Sequence, residues 1–297
     1  MKEYDEVTLK AVQKLEMGIL KDFLKICEEY NLTSFGFAGT GIGALRHKGF
    51  IPWDDDIDIA LPRKDYEKML EVIKKDYSHK YTIADAREME NYPLMTARIM
   101  IKGTKFIEES MKNVKCDLGI FLDVYAFDYT SDNDEEFQKQ ARKAWFWSKL
   151  LILRHVAFPV LPFKGVKGKI IHGACGFVHG CMSLFHISHK YLYRKCREVC
   201  CQYNDKPTNR IAFFCDTKPY SNLIDLREAY PLQELPFEDV VIKFPKNIDA
   251  LLRSFYGDYM QLPPVEKRKN HYPYCLQLPE TVSEEPDNEN NHEKAVR

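Results

Sequence analysis

No stretch of this chain reaches the ~18 consecutive apolar residues that a membrane-spanning helix needs. The polar start, Met1 to Glu6, lacks the apolar core of a secretory leader. A cytoplasmic location is therefore expected, with the inner face of the membrane as the alternative. An excess of one charge is also missing: 43 Lys and Arg stand against 44 Asp and Glu, for a net charge of −1. Bulk binding of nucleic acid is not expected from that balance. The nine cysteines lack a pair of Cys-x-x-Cys motifs. In a reducing compartment they are not expected to form disulfides. There is no internal repeat and no P-loop spacing, and no glycine fingerprint with an acid about twenty residues on. What remains is a chain of 297 residues, long enough to bury a real core in one large domain or one and a half.

The densest information lies between Gly39 and Pro62, GTGIGALRHKGFIPWDDDIDIALP. Ile57, Ile59 and Leu61 alternate with Asp56, Asp58 and Ala60, which is the period of a strand. That period aims Asp56 and Asp58 at one face, with Asp54 in phase just upstream. Side-by-side carboxylates repel and call for a compensating cation. Their hard oxygens suit Mg²⁺ or Mn²⁺, held by one or two carboxylates plus substrate phosphates. The alternative, a solvated acidic turn, fits less well with an apolar strand, because a half-buried acid without a partner is costly.

Ahead of the acids, Thr33 to Ala38 reads as a strand, followed by a tight turn over Gly39, Thr40, Gly41 and Gly43 and a short helix through Arg46. Glycines let a backbone approach phosphate, and a helix start adds partial positive charge. Thr40 could cap that helix or donate its hydroxyl to a phosphate oxygen.

A Gly-Thr turn followed by an Asp-x-Asp strand resembles the nucleotidyltransferase fold. The longer string GTGIGALRHKGFIPWDDDIDIALPRKDYEKML resembles the LicD family, which includes phosphorylcholine transferases and is related to the fukutin proteins. FYGDYMQLPPVEKRKNHYP, Phe255 to Pro273, is similar to the end of that family. Two departures stand out: Ala38 and Gly41 replace larger or different residues of the usual Gly-Gly-Thr-Leu-Leu-Gly, and His271 is followed by Tyr272 where the family has a His pair.

The resemblance implies a metal-dependent transfer of a phospho-alcohol, such as phosphocholine, from a CDP-alcohol donor to a sugar hydroxyl of a glycan or lipid-linked saccharide acceptor, with release of CMP. It implies Asp56 and Asp58 as metal ligands, Asp54 as a third ligand or supporting acid, and a further carboxylate on a later strand. Asp123, inside the apolar segment Gly119–Asp128, fits that last place, as metal ligand or as acceptor of the attacking hydroxyl's proton. Asp117 and Asp128, near the segment's ends, read as surface or capping groups. Gly39, Thr40 and Gly43 with Arg46, His47, Arg63, Arg98, Lys267, Arg268 and His271 are the expected substrate-binding groups, since arginine grips phosphate with two bonds. Each could equally be an ordinary ion-pairing residue. Choline would favour aromatic partners, with Tyr92, Tyr125, Phe127 and Tyr129 as candidates.

The expected fold is α+β: a small, nucleotidyltransferase-like mixed sheet flanked by helices, with a helical middle insertion. Residues 1–130 form the core, 131–209 the insertion, 210–279 the completing part, and 280–297 a disordered acidic tail. The stretch Leu150 to Leu184 is the most hydrophobic, yet Arg154, Lys164, Lys167 and Lys169 interrupt it. A helical subdomain packed on the core is favoured there over a basic amphipathic element touching a membrane. Cys and His cluster between His172 and Cys201, but Tyr193, Cys196, Cys200 and Tyr203 recur at helical spacing and read as a buried stripe, not zinc ligands. Two other functions stay open: a nucleotidyltransferase using NTP on a small acceptor, and a non-catalytic nucleotide- or glycan-binding module.

Overall fold

The computed structural model describes residues 4–161, 163 and 165–279; the tail expected to be disordered, 280–297, lies outside the described residues. The fold is mixed α+β, with eight α-helices among the described residues. The long helix α1 (Glu6–Glu29) is capped by Asp5, whose carboxylate accepts the Thr8 N–H at 2.8 Å. Then come β1 (Phe35–Gly36), α2 (Ala38–Ile42) with a π-helical turn over Gly43–His47, β2 (Asp58–Pro62), α3 (Arg63–Asp76), β3 (Tyr81–Ala84), β4 (Ala97–Ile101), β5 (Lys105–Glu108) and β6 (Phe121–Thr130). Helices α4 (Asp134–His155), α5 (Gly165–Leu184) and α6 (His189–Cys200) follow. The chain closes with β7 (Arg210–Phe213), β8 (Asn222–Asp225), α7 (Leu226–Ala229), β9 (Gln233–Phe237), β10 (Val240–Phe244), α8 (Ile248–Tyr256) and β11 (Pro273–Gln277).

The main sheet runs β1-β2-β6-β4-β3. Only β2 and β6 are parallel in it; the other neighbours are antiparallel. The ten-residue β6 is the axis: its first half pairs with β4, and its last three residues pair with β7, which carries β8. Two small ribbons, β9–β10 and β5–β11, lie outside the sheet.

One sheet face is apolar throughout. Ile57, Ile59 and Leu61 from the β2 region, with Leu122, Val124 and Ala126 of β6, pack under α1 and α3. Strand alternation then sends Asp58 and Asp123 to the opposite face. That face is also covered, partly by Phe37, Phe127 and Phe213. This is why β2 is buried along nearly its whole length.

The glycine segment corrects the expectation of strand, turn and helix. β1 stops at Gly36, and α2 starts at Ala38 with no intervening turn, so Gly39, Thr40 and Gly41 are helical. Gly43 serves packing: a Cβ there would lie 2.3 Å from the Gly49 carbonyl oxygen. β8, β9 and β11 were not anticipated; each is four or five residues long with mixed polarity.

Ala38 itself adopts φ +44°. The left-handed region costs an L-residue about 1–2 kcal/mol, which glycine avoids. Ala38→Gly is expected to raise stability by about 1 kcal/mol, seen as a higher denaturation midpoint at unchanged slope. A lower midpoint would contradict the assigned backbone.

Candidate active site

β2 and β6 run side by side in the register that pairs Asp58 with Asp123. Asp56 lies two residues ahead of β2. One carboxylate oxygen from each of Asp56, Asp58 and Asp123 falls within 4.8 Å of the others. Asp58 and Asp123 are only 6% and 7% exposed. Burial pushes the pKa of all three up, and mutual repulsion adds to it, from Asp54 on Asp56 and from Asp56 on Asp58.

Neighbours hold each acid in place. The Tyr125 hydroxyl donates to Asp58 Oδ1 at 2.9 Å, and the Asp58 backbone N–H donates to Thr40 Oγ1 at 2.8 Å. Arg98 Nε donates to Asp123 Oδ1 at 3.0 Å, and Arg98 Nη2 donates to Glu108 at 2.7 Å. The Arg98 guanidinium also lies over the Phe121 ring, 3.8 Å from its centre. Arg98 is thus a buried bridge behind Asp123, 4% exposed.

A second acidic group adjoins the first. Ligand atoms of Asp54, Asp55 and His271 lie within 4.8 Å of one another. β11 pairs with β5, setting Pro273 opposite Glu108, and this delivers His271 to the acids. The His271 backbone N–H donates to Asp55 Oδ1 at 2.7 Å, and its Nδ1 stands 3.3 Å from Asp56 Oδ2. The Asp56 carboxylate holds the His271 imidazolium well above the ordinary histidine range. Tyr4 donates to the other Asp55 oxygen at 2.6 Å. Asp54 is pushed up to about 7 by burial, and it presses on α2: a Cβ at Gly39 would lie 3.2 Å from Asp54 Oδ2. Glu16 of α1 is fully buried, and both its carboxyl oxygens lack a hydrogen-bond partner. Burial, then Asp55, Asp56 and Asp54, raise its pKa.

The triad Asp56, Asp58 and Asp123 lines a cleft of about 580 Å³, together with His271, the β7–β8 connection and the end of α8. Phe37, Tyr125, Tyr220, Phe255 and Tyr256 give it aromatic walls. Lys218 and His271 are its cations. Helix α4 steadies the β7–β8 connection: Trp145 Nε1 donates to the Thr217 carbonyl at 3.2 Å and Lys149 Nζ to that of Asp216 at 2.9 Å.

Residues 31–164, which carry the glycine segment and the acid triad, match the model of the LicD/FKTN/FKRP nucleotidyltransferase domain. Over these residues the chain is similar to the LicD family. It is 25% identical over 281 residues to the lipopolysaccharide cholinephosphotransferase LicD of Haemophilus influenzae, an alignment covering 90% of this chain and 97% of that protein. An uncharacterised protein of Rickettsia prowazekii is 30% identical over 69 residues, 23% of this chain and 26% of its own.

Most of the predicted cations lie away from the triad. Arg46 donates to His47 and to the Tyr259 carbonyl. His47 and Arg268 line a different depression beside Trp53, with the Arg268 guanidinium 4.2 Å from the indole centre. Lys267 is exposed. Arg63 sits at the far end of β2, bonded by two nitrogens to Asp128 at 2.8 and 2.7 Å. Asp128, expected at the surface, is buried by that pair. Asp117 is exposed, as expected. Of the suggested aromatics only Tyr125 reaches the cleft; Tyr92 and Phe127 are fully buried in the core, and Tyr129 packs at its edge. Cys196 and Cys200 are buried on α6, with Cys215 Sγ 3.6 and 3.8 Å from their sulfurs. His172, His179 and His189 each bond a main-chain carbonyl.

Sequence reasoning missed Lys218, Tyr256, Glu108 and Asp55. Asp55 is out of phase with the alternating pair, Lys218 and Glu108 stand in no motif, and Tyr256 lies in the Phe255–Pro273 string with nothing there to single it out. A charged residue opposite another in a non-local strand pair leaves no local signal.

Two outcomes follow. Asp56 and Asp58 keep their protons to higher pH folded than unfolded, so the folded chain loses stability as pH rises above the ordinary carboxylate range. In chelator, Asp58→Asn should be more stable than the parent at about pH 7.5, and the gain should fade toward about pH 4. A loss of melting temperature at the higher pH would contradict the repulsion. Arg98→Met strands Asp123 and Glu108 and is expected to cost about 3–5 kcal/mol; a cost below about 1 kcal/mol in urea unfolding would show Arg98 is not a structural bridge.

Proposed function

We propose that this chain is a LicD-like phosphotransferase that moves phosphocholine, or a related phospho-alcohol, from a CDP-linked donor to a hydroxyl of a cell-surface saccharide. One observation carries the reading: three mutually repelling carboxylates form part of an aromatic-walled cleft, in a chain that aligns with 97% of a lipopolysaccharide cholinephosphotransferase. The match to a nucleotidyltransferase domain supports a fold of that kind for residues 31–164.

The donor set fits a hard divalent cation, Mg²⁺ or Mn²⁺. It is all carboxylate oxygen, and its raised pKa values mean that a proton or a cation must relieve it. Asp56, Asp58 and Asp123 would hold the ion, with Asp54 beside them. When bound, such an ion neutralises diphosphate charge and polarises the transferred phosphoryl group.

The chain's own groups do the rest. Lys218 and His271 offer positive charge to phosphate oxygens at the cleft wall. Arg98 and Tyr125 keep Asp123 and Asp58 fixed while substrate binds. A carboxylate whose pKa is raised by burial and repulsion takes the proton of the attacking sugar hydroxyl. As that oxygen bonds to phosphorus, the bond from phosphorus to the CMP oxygen breaks. The walls formed by Tyr125, Tyr220 and Tyr256 suit a quaternary ammonium, which aromatic faces attract by about 0.5–2 kcal/mol.

The test is phosphorus NMR of the full chain with Mg²⁺, an oligosaccharide acceptor, and either a CDP-alcohol or an NTP. CMP released from CDP-choline, and lost in Asp56→Asn, Asp58→Asn and Asp123→Asn, is the expected outcome, with a drop of at least about 10³-fold for a charge-stabilising group. Pyrophosphate from an NTP would replace this reading by nucleotidyl transfer. Unchanged turnover in any of the three variants would overturn the assigned site.

A further inference from the structure

Helix α5 breaks the rule that a helix hides its apolar side. Of its twenty residues, only Gly168 and Met182 are buried. Val166, Ile170, Phe177 and Leu184 stand 67–75% exposed, as do Phe158 just before the helix and Phe185 just after it. The subdomain favoured from sequence therefore packs on the core through α4 and α6 and leaves α5 largely uncovered.

Charge singles out the same lobe. From Phe137 to Arg197 there is no Asp or Glu, and there are twelve Lys and Arg, in a chain whose net charge is −1. Lys167 and Lys169 lie on α5 itself and are exposed. Arg142 and Lys143 on α4, and Lys190 and Arg194 on α6, are exposed too. Among the described residues no single helix is long and apolar enough to cross a membrane, and α5 meets the following helix at a 112° bend.

We propose that α5, with the Phe158 ring beside Gly176 and Phe185 just past its last residue, is a membrane-docking face that lies in the headgroup layer of an anionic bilayer. Large apolar side chains enter the acyl boundary, and the surrounding lysines and arginines meet lipid phosphates. Charge decides the occupant. A second copy of this chain would set the same basic lobe against itself, whereas an anionic lipid surface neutralises it. The lobe also touches the site, since α4 holds the β7–β8 connection through Trp145 and Lys149. The proposal rests on the phosphotransferase reading only in that a lipid-linked acceptor would be met at such a surface.

The experiment is co-sedimentation of the full chain with vesicles of phosphatidylglycerol and phosphatidylethanolamine, against vesicles of phosphatidylcholine alone. Binding to the anionic vesicles that weakens as salt is raised is expected. Phe158→Asp with Phe177→Asp should abolish it. Lys167→Gln and Lys169→Gln should each weaken it about five-fold, the factor that corresponds to about 1 kcal/mol per basic residue. Circular dichroism and turnover with a water-soluble acceptor should be unchanged in all three variants. Binding that is absent, or equal on neutral vesicles, overturns the proposal. So does a stable dimer that Phe177→Asp splits and that ignores vesicles, which would place a second copy on this face. Vesicle binding in a chain that turns over no donor would leave the docking face standing while the catalytic reading fell.

Discussion

Like charges do not pack together unless something answers them. Two carboxylates about 4 Å apart repel by about 4 kcal/mol at an effective dielectric constant of about 20. This chain sets three of them side by side and buries two. The arrangement is not an accident of a loose loop. It is locked by the β2–β6 register, and that register is fixed by the apolar side chains on the other face of the same strands. A slip of one residue would put Asp58 among Leu122 and Val124 and send Ile59 to the cleft. The hydrophobic effect therefore holds the acids where electrostatics alone would scatter them.

The surrounding structure can be understood as support for that concentration of charge. Arg98 and Glu108 form a buried relay behind Asp123, and Tyr125 and Thr40 fix Asp58 from either side. Tyr4, near the start of the chain, and His271, near its end, both bond to Asp55. Asp55 thus ties both distant segments to the acid strand. Two of the cleft's lining residues, Tyr125 and His271, are themselves bonded to the acids, so the cleft wall and the acid strand are held together.

How much of this was legible in the sequence depends on how local the cause was. Alternation through Ile57, Asp58, Ile59 and Leu61 revealed the strand and its acidic face, because side-chain direction in a strand follows from period alone. Asp123 stood out as an acid in an apolar run, and the structure sets it opposite Asp58. Arg46, Arg63 and Arg98 are all expected at phosphate from the sequence, since arginine grips phosphate with two bonds. Their partners, the Tyr259 carbonyl, Asp128 and Asp123, come from far along the chain and could not be read locally. The same limit applies to α5. Its hydropathy was plain, but whether another element covers it is a tertiary fact.

The central claim is that the triad holds a divalent cation shared with a nucleotide diphosphate. Titration of Mn²⁺ into the metal-free chain, followed by loss of the free-ion electron paramagnetic resonance signal, tests it without relying on turnover. The account predicts that Mn²⁺ binds, that CDP-choline tightens the binding, and that Asp58→Asn or Asp123→Asn releases the ion. Binding that is equally tight in those variants, or no binding even with nucleotide present, would contradict it.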